Sequence, residues 1–71
     1  MKPTVGRIVH YVARGSADGK LPPVHRAAVI AEVIPDAVHL VVLNPQGIFF
    51  DKVEYDENKA PGTWHWPERE D

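Results

Sequence analysis

The chain contains no cysteine, and this absence excludes both disulfide bonds and zinc sites built from thiolates. The chain is also short, with 71 residues. A domain of this size buries only about 60% of the surface that its unfolded chain exposes. Additional stability must therefore come from packing, self-association or a bound ligand. Self-association extends the buried apolar surface most directly, so we expect a homo-oligomer.

Long apolar runs and a strong charge of one sign are missing as well. No apolar stretch approaches the roughly 20 residues of a membrane-spanning helix, and the first residues lack the apolar core of a signal peptide. The net charge is -2 with neutral histidines, and the basic residues are scattered. Nucleic-acid binders usually carry a basic patch. We therefore expect a protein of the cytoplasm with no membrane partner and no nucleic-acid partner.

Short segments rich in β-branched and aromatic residues alternate with turn sequences along the chain. The predicted strands are 4–12, 27–34, 38–43, 48–55 and 63–66. Helix is the competing interpretation of 27–34, because Ala and Glu favour helices. "PD" at 35–36 and "NPQG" at 44–47 are turn sequences. The pattern predicts an all-β fold, a small five-stranded SH3-like or OB-like barrel over residues 1–67, followed by a charged tail at 68–71.

The segment "ARGSADGKLPPVHR", residues 13–26, predicts an unusually long loop between the first two strands. Long ordered loops are often functional. A disordered flap is the alternative, and the sequence leaves both interpretations open.

Both tryptophans of the chain lie in "TWHW" near its end. With the period of two of a strand, Trp64 and Trp66 share one face and His65 points to the other. The tryptophans could pack in the core or form the floor of a binding site, and we expect at least one of them in the core. His65 would then face a ligand or a partner chain. If the first and last strands pair, as in SH3-like barrels, His10 and His65 lie close together.

No catalytic motif is present, so we expect a non-enzymatic protein. Ser16 lacks the G-x-S-x-G elbow of a nucleophile, and nothing nearby supplies a base. His10, His25, His39 and His65 do not have the spacing of a metal-binding motif. We interpret them as separate, half-exposed histidines and expect no metal site and no cofactor. A zinc site assembled across strands is the alternative interpretation.

Arginine and aromatic residues together suit a nucleotide-like anionic ligand, because guanidinium groups match phosphate geometry and aromatic faces stack on bases. The candidate ligand-binding residues are Arg7, His10, Arg14, Arg26, Trp64, His65 and Trp66. The alternative is that solvated arginines surround core tryptophans.

The run "VHLVVLNPQGIFF" carries more apolar residues than one face of a small barrel can hide. Phe49 or Phe50 could therefore lie at a subunit interface, since exposed apolar patches usually mark such contacts. Packing of both rings in the core is the alternative.

The segments "VGRIVHYV", "HRAAVIAEV", "LVVLNPQGIFF" and "PGTWHWPE" resemble a group of small uncharacterised proteins of bacteriophages and actinobacterial prophages, which share LNPxGxFF and GTWHWPE motifs. The resemblance covers most of the chain and implies a phage context. Some small phage proteins act as sponges, homo-oligomers that sequester host nucleotide immune signals such as cyclic dinucleotides. The context therefore suggests an anti-defence binding protein in the host cytosol, although no sponge motif matches residue by residue. A protein–protein adaptor or inhibitor of a host protein, using an exposed barrel face, is the alternative.

Overall fold

The computed structural model describes residues 2–15 and 24–68, which contain five β-strands and no helix. The strands are β1 Ile8–Val12, β2 His25–Ile34, β3 Ala37–Asn44, β4 Gly47–Val53 and β5 Trp64–His65. The predicted all-β class is confirmed, and 27–34 belongs to a strand rather than to a helix. No helix long and apolar enough to cross a membrane occurs in these residues.

The strands form one antiparallel sheet in the order β4-β3-β2-β1-β5. The turns at Pro35–Asp36 and Pro45–Gln46 lie where the sequence predicts them, and they join β2 to β3 and β3 to β4. Within the described residues the sheet is not closed into a barrel. A single parallel bridge, between Tyr55 and Trp64, connects the segment after β4 to β5. β5 is only two residues long, so it is too short to extend this bridge into a ladder.

One face of the sheet carries the hydrophobic core. The alternation of side chains along each strand selects its members, which are Val9, Tyr11, Ala28, Ile30, Val38, Leu40, Val42, Val53 and Trp64. Phe49 and Trp66 are partly buried against this cluster. The predicted core role of at least one tryptophan is confirmed by Trp64, which is 3% exposed.

The first strand begins later than the sequence pattern predicts. Val5 and Gly6 form a turn, in which the N–H of Arg7 donates to the carbonyl of Thr4 at 3.2 Å. Gly6 has a φ of 90°, which breaks the extended conformation, and β1 therefore starts at Ile8.

The predicted loop and the predicted tail are described only in part. The predicted loop at 13–26 is shorter, since β2 begins at His25, and residues 16–23 lie outside the described residues. Of the predicted tail at 68–71, only Glu68 is described, and it lies against the sheet rather than apart from it.

Candidate functional site

Three histidines meet on the face of the sheet opposite the core. His10 of β1 lies directly across from His65 of β5, and His25 of β2 lies across from Val12, two residues after His10. Paired residues share a face, as do residues two apart on one strand. The register of three neighbouring strands therefore places all three imidazoles on this outer face.

The three rings converge without stacking. The ring centres are 5.5 Å apart for His10 and His65, 5.9 Å for His10 and His25, and 4.8 Å for His25 and His65. The planes are inclined to one another by 56° to 83°. Such tilted rings direct nitrogen atoms towards a common point instead of covering one another.

Glu68 folds back over this point. Its Oε1 lies 2.5 Å from Nδ1 of His25, 2.8 Å from Nε2 of His65 and 3.7 Å from Nδ1 of His10. Its other oxygen, Oε2, is bound by the ammonium group of Lys59. The four residues His10, His25, His65 and Glu68 are called the His–Glu cluster below.

Lys59 reaches Glu68 from a turn that Asp56 organises. The backbone N–H of Asn58 donates to Oδ1 of Asp56 at 2.9 Å, and the N–H of Lys59 donates to the Asp56 carbonyl at 3.0 Å. Lys59 itself has a φ of 64°, in the left-handed region. The turn before β5 thus carries the cation that orients the carboxylate.

Burial and charge set the ionisation of the cluster. The pKa of His65 is lowered from 6.5 mainly because burial disfavours the imidazolium ion. The hydrogen bond from Lys59 lowers the pKa of Glu68 to about 2, and the hydrogen bond with His65 adds to this effect. At neutral pH the cluster therefore offers a carboxylate and, at His65, a neutral imidazole.

Two nitrogen atoms of the His–Glu cluster are buried and make no hydrogen bond within the described residues. They are Nδ1 of His10 and Nδ1 of His65. The side chain of His65 is only 4% exposed, so water has little access to it. One ligand atom from each of the four residues lies within 4.8 Å of the others, an arrangement that could hold a metal ion.

A second feature is a cavity of about 470 Å³ on the core side of the sheet, near the start of the 13–26 segment. Arg14 and Arg26 line it, together with the rings of Tyr11 and Phe49 and the carboxylate of Asp51. The two rings pack edge to face with centres 5.5 Å apart. Nε of Arg26 is buried and has no hydrogen-bond partner in the described part of the chain.

The tryptophans and Arg7 form a third group of candidate residues. Trp66 packs edge to face on Trp64, with ring centres 5.2 Å apart, and the guanidinium group of Arg7 lies 5.8 Å from the Trp66 ring centre. Both tryptophans line a cavity of about 470 Å³ whose other walls include Pro3 and Tyr55. Arg7 is therefore a neighbour of Trp66 and not of the cavity at Arg14 and Arg26.

The predicted ligand set is thus divided among three places. His10 and His65 come together as the strand pairing predicts, Arg14 and Arg26 share a cavity, and Arg7 joins Trp64 and Trp66. The interpretation of the histidines as separate and half-exposed holds for His39, which lies near Glu32 at 3.6 Å. It is wrong for the other three, because strand pairing brings them together in the His–Glu cluster.

Sequence reasoning did not assign His25 or Glu68 to a site. His25 belongs to the predicted loop, and only the pairing of β1 with β2 places it beside His10. Glu68 follows His65 by three residues, a weak signal in a run of acidic residues.

No protein family, no curated protein and no solved structure matches the chain.

Proposed function

We propose that the protein is a non-enzymatic binding protein that holds a small anionic ligand with a flat ring, of the nucleotide class, in the cavity at Arg14 and Arg26. The observation that carries this proposal is the convergence of two arginines, Arg14 and Arg26, on one cavity that Phe49 also lines. Guanidinium groups donate strong, charge-assisted hydrogen bonds to anions such as phosphate.

The other walls of the cavity supply complementary groups. Arg14 adds a second guanidinium group for phosphate, and the partly buried ring of Phe49 offers a surface on which a base can stack. Asp51 accepts hydrogen bonds, so it favours a ligand that carries an amino group beside its anionic group. The cavity volume of about 470 Å³ lies within the usual range for small-molecule sites.

The phage resemblance suggests the biological role, in which the protein sequesters a host nucleotide signal in the host cytosol. A cyclic dinucleotide with two identical bases and linkages is twofold symmetric and suits a site shared by two copies of the chain. β4 forms one edge of the sheet and contributes Phe49 and Asp51 to the cavity. Pairing of two β4 edges would bring two such cavities together.

Thermal unfolding with a panel of mono-, di- and cyclic nucleotides tests the proposal. A ligand at a hundred times its Kd adds roughly 2.7 kcal/mol, which raises the Tm of so small a domain by several degrees. We expect one nucleotide to give this shift, and we expect the shift to weaken with added salt.

Arginine variants locate the site. Arg26→Ala and Arg14→Ala should each weaken binding at least 10-fold, because each removes a charge-assisted hydrogen bond. Arg7→Ala is the matched control, since Arg7 lies beside Trp66 at the other end of β1. A flat panel, or equal weakening by all three variants, would contradict this assignment.

A protein-binding role is the second candidate, and exposed apolar side chains on β4 favour it. Phe50 is 72% and Ile48 58% exposed, and Leu43 of the neighbouring strand β3 is 44% exposed beside Ile48. Antiparallel pairing of two β4 edges centred on Phe50 would set the same apolar residues of both copies on one face. The second candidate function is an adaptor or inhibitor that binds a host protein through this surface, and self-association through the same surface is the other outcome.

A further inference from the structure

We propose that the His–Glu cluster is a binding site for a divalent transition-metal ion of the zinc class, which fastens β5 and the chain after it to β1 and β2. The site lies on the face opposite the cavity at Arg14 and Arg26, so the inference is independent of the proposed ligand. It rests on four potential ligand atoms within 4.8 Å of one another and on the buried side chain of His65.

The spacing of the rings fits tetrahedral coordination. With Zn–N bonds of about 2.0 Å, imidazole centres lie about 3.2 Å from the metal and about 5.2 Å from one another. The three observed separations, 4.8, 5.5 and 5.9 Å, scatter around this value. Backbone pairing positions the rings on three adjacent strands, so they are arranged before any ion binds.

The distances from Glu68 require only small adjustments. Ligand atoms of a tetrahedral zinc site lie about 3.3 Å apart. Oε1 of Glu68 is 2.5, 2.8 and 3.7 Å from the nearest nitrogen atoms of His25, His65 and His10. Each distance is within about 1 Å of the tetrahedral value, a difference that side-chain rotation can supply.

The donor set selects the class of metal. Three imidazoles and one carboxylate suit Zn²⁺ and its neighbours, whereas Mg²⁺ and Ca²⁺ prefer sites made of oxygen atoms. Four protein ligands complete a tetrahedron and leave no position for substrate, which is typical of structural zinc sites. We therefore assign a structural rather than a catalytic role to the ion.

Lys59 acts on Glu68 from outside the ligand set. It binds Oε2 of Glu68 and leaves Oε1 facing the histidines. Partners of this kind fix the orientation of a ligating carboxylate. The hydrogen bonds that Asp56 accepts in this turn fix the backbone position of Lys59.

A metal ion at this site would stabilise the position of β5. β5 contributes only two residues to the sheet and pairs with β1 alone, apart from the bridge to Tyr55. A chain of this size has a small core, and small domains commonly add metal ions or other cross-links. A metal ion at the cluster would add side-chain links from β5 to β1, its pairing partner, and to β2, with which it does not pair.

Metal titration of the full chain tests the proposal. After treatment with a chelator and its removal, the protein is titrated with Zn²⁺ alone at pH 7.5 by calorimetry, and with Co²⁺ by visible absorption. We expect one ion per chain, the intense absorption of tetrahedral Co²⁺, and a Tm several degrees higher with Zn²⁺ than with chelator. Absence of stoichiometric binding would overturn the proposal, because Glu68 would then serve only as a hydrogen-bond acceptor for the histidines.

Variants assign the ligands. His25→Ala and Glu68→Gln should each weaken Zn²⁺ binding at least 100-fold, and both side chains are partly exposed, so the metal-free fold should persist. Circular dichroism of the metal-free variants checks this point. His39→Ala is the matched control, because His39 lies outside the cluster. Equal affinity of wild type and His25→Ala, or an equal loss in His39→Ala, would also overturn the assignment.

The two proposals fail separately. Arg26→Ala should leave Zn²⁺ binding unchanged, and His25→Ala should leave nucleotide binding unchanged, since the two sites lie on opposite faces of the sheet. If the protein binds Zn²⁺ but no nucleotide, the metal site is supported and only the proposed function is contradicted.

Discussion

His10 and His65 face each other directly across the pairing of β1 with β5, at one edge of the sheet. On the opposite face of the same pairing, Tyr11 lies across from Trp64. Both side chains of β5 therefore contact other residues: Trp64 packs in the core, and His65 lies beneath Glu68. These side-chain contacts on both faces add to the backbone hydrogen bonds that Trp64 makes with Glu54 and Asp56.

Trp64→Ala should destabilise the protein severely, because it removes a fully buried ring from a small core. Such substitutions cost about 3–5 kcal/mol, against a total of roughly 4–11 kcal/mol for a chain of this length. Trp66→Ala is the matched control and should cost less, since Trp66 is only partly buried. Urea unfolding followed by circular dichroism measures both, and equal losses would show that Trp64 has no special role in the core.

Gly62→Ala should destabilise the turn before β5 by about 1–2 kcal/mol, because Gly62 has a φ of 82° that disfavours a side chain. The added Cβ would also lie 2.9 Å from Cζ of Arg14, although that flexible side chain can move. Gly6→Ala shares the strained φ, at 90°, but has no neighbouring atom within 4 Å. Chemical unfolding of both variants separates strain from contact, and wild-type stability of Gly62→Ala would contradict the prediction.

Phe50→Lys should reduce self-association, because it places a charge at the centre of the exposed apolar surface on β4. Val33→Lys is the matched control, since Val33 is 41% exposed but lies on β2. Sedimentation velocity over a range of concentrations gives the dissociation constant. We expect wild type and Val33→Lys to associate and Phe50→Lys to remain monomeric. A monomeric wild type would instead favour a host protein as the occupant.

Acid should destabilise the metal-free protein in two pH windows. The pKa of His65 is lowered in the folded state, so the unfolded chain binds more protons and stability falls as the pH drops below 6.5. The pKa of Glu68 is also lowered, to about 2, so further stability is lost between about 4.5 and 2. Urea midpoints at several pH values, with chelator present, measure both effects. Glu68→Gln should lose the contribution of Glu68 in the lower window, and an unchanged profile would contradict the role of Glu68.

The all-β class and the approximate strands follow from local sequence patterns, because side-chain alternation and turn residues act over a few neighbouring positions. The sequence placed the turns at 35–36 and 44–47 and put Trp64 and His65 on opposite faces. It also predicted that His10 and His65 meet if the end strands pair, and this prediction is confirmed.

Which distant residues share a site depends on how the strands pair in three dimensions. The register of β1 with β2 brings His25 to His10, and the return of the chain after β5 brings Glu68 over both. The same geometry separates Arg7 from Arg14, which lie beyond opposite ends of β1. Strand register and the path of a terminal segment depend on contacts with partners far along the chain, and local sequence patterns carry no information about them.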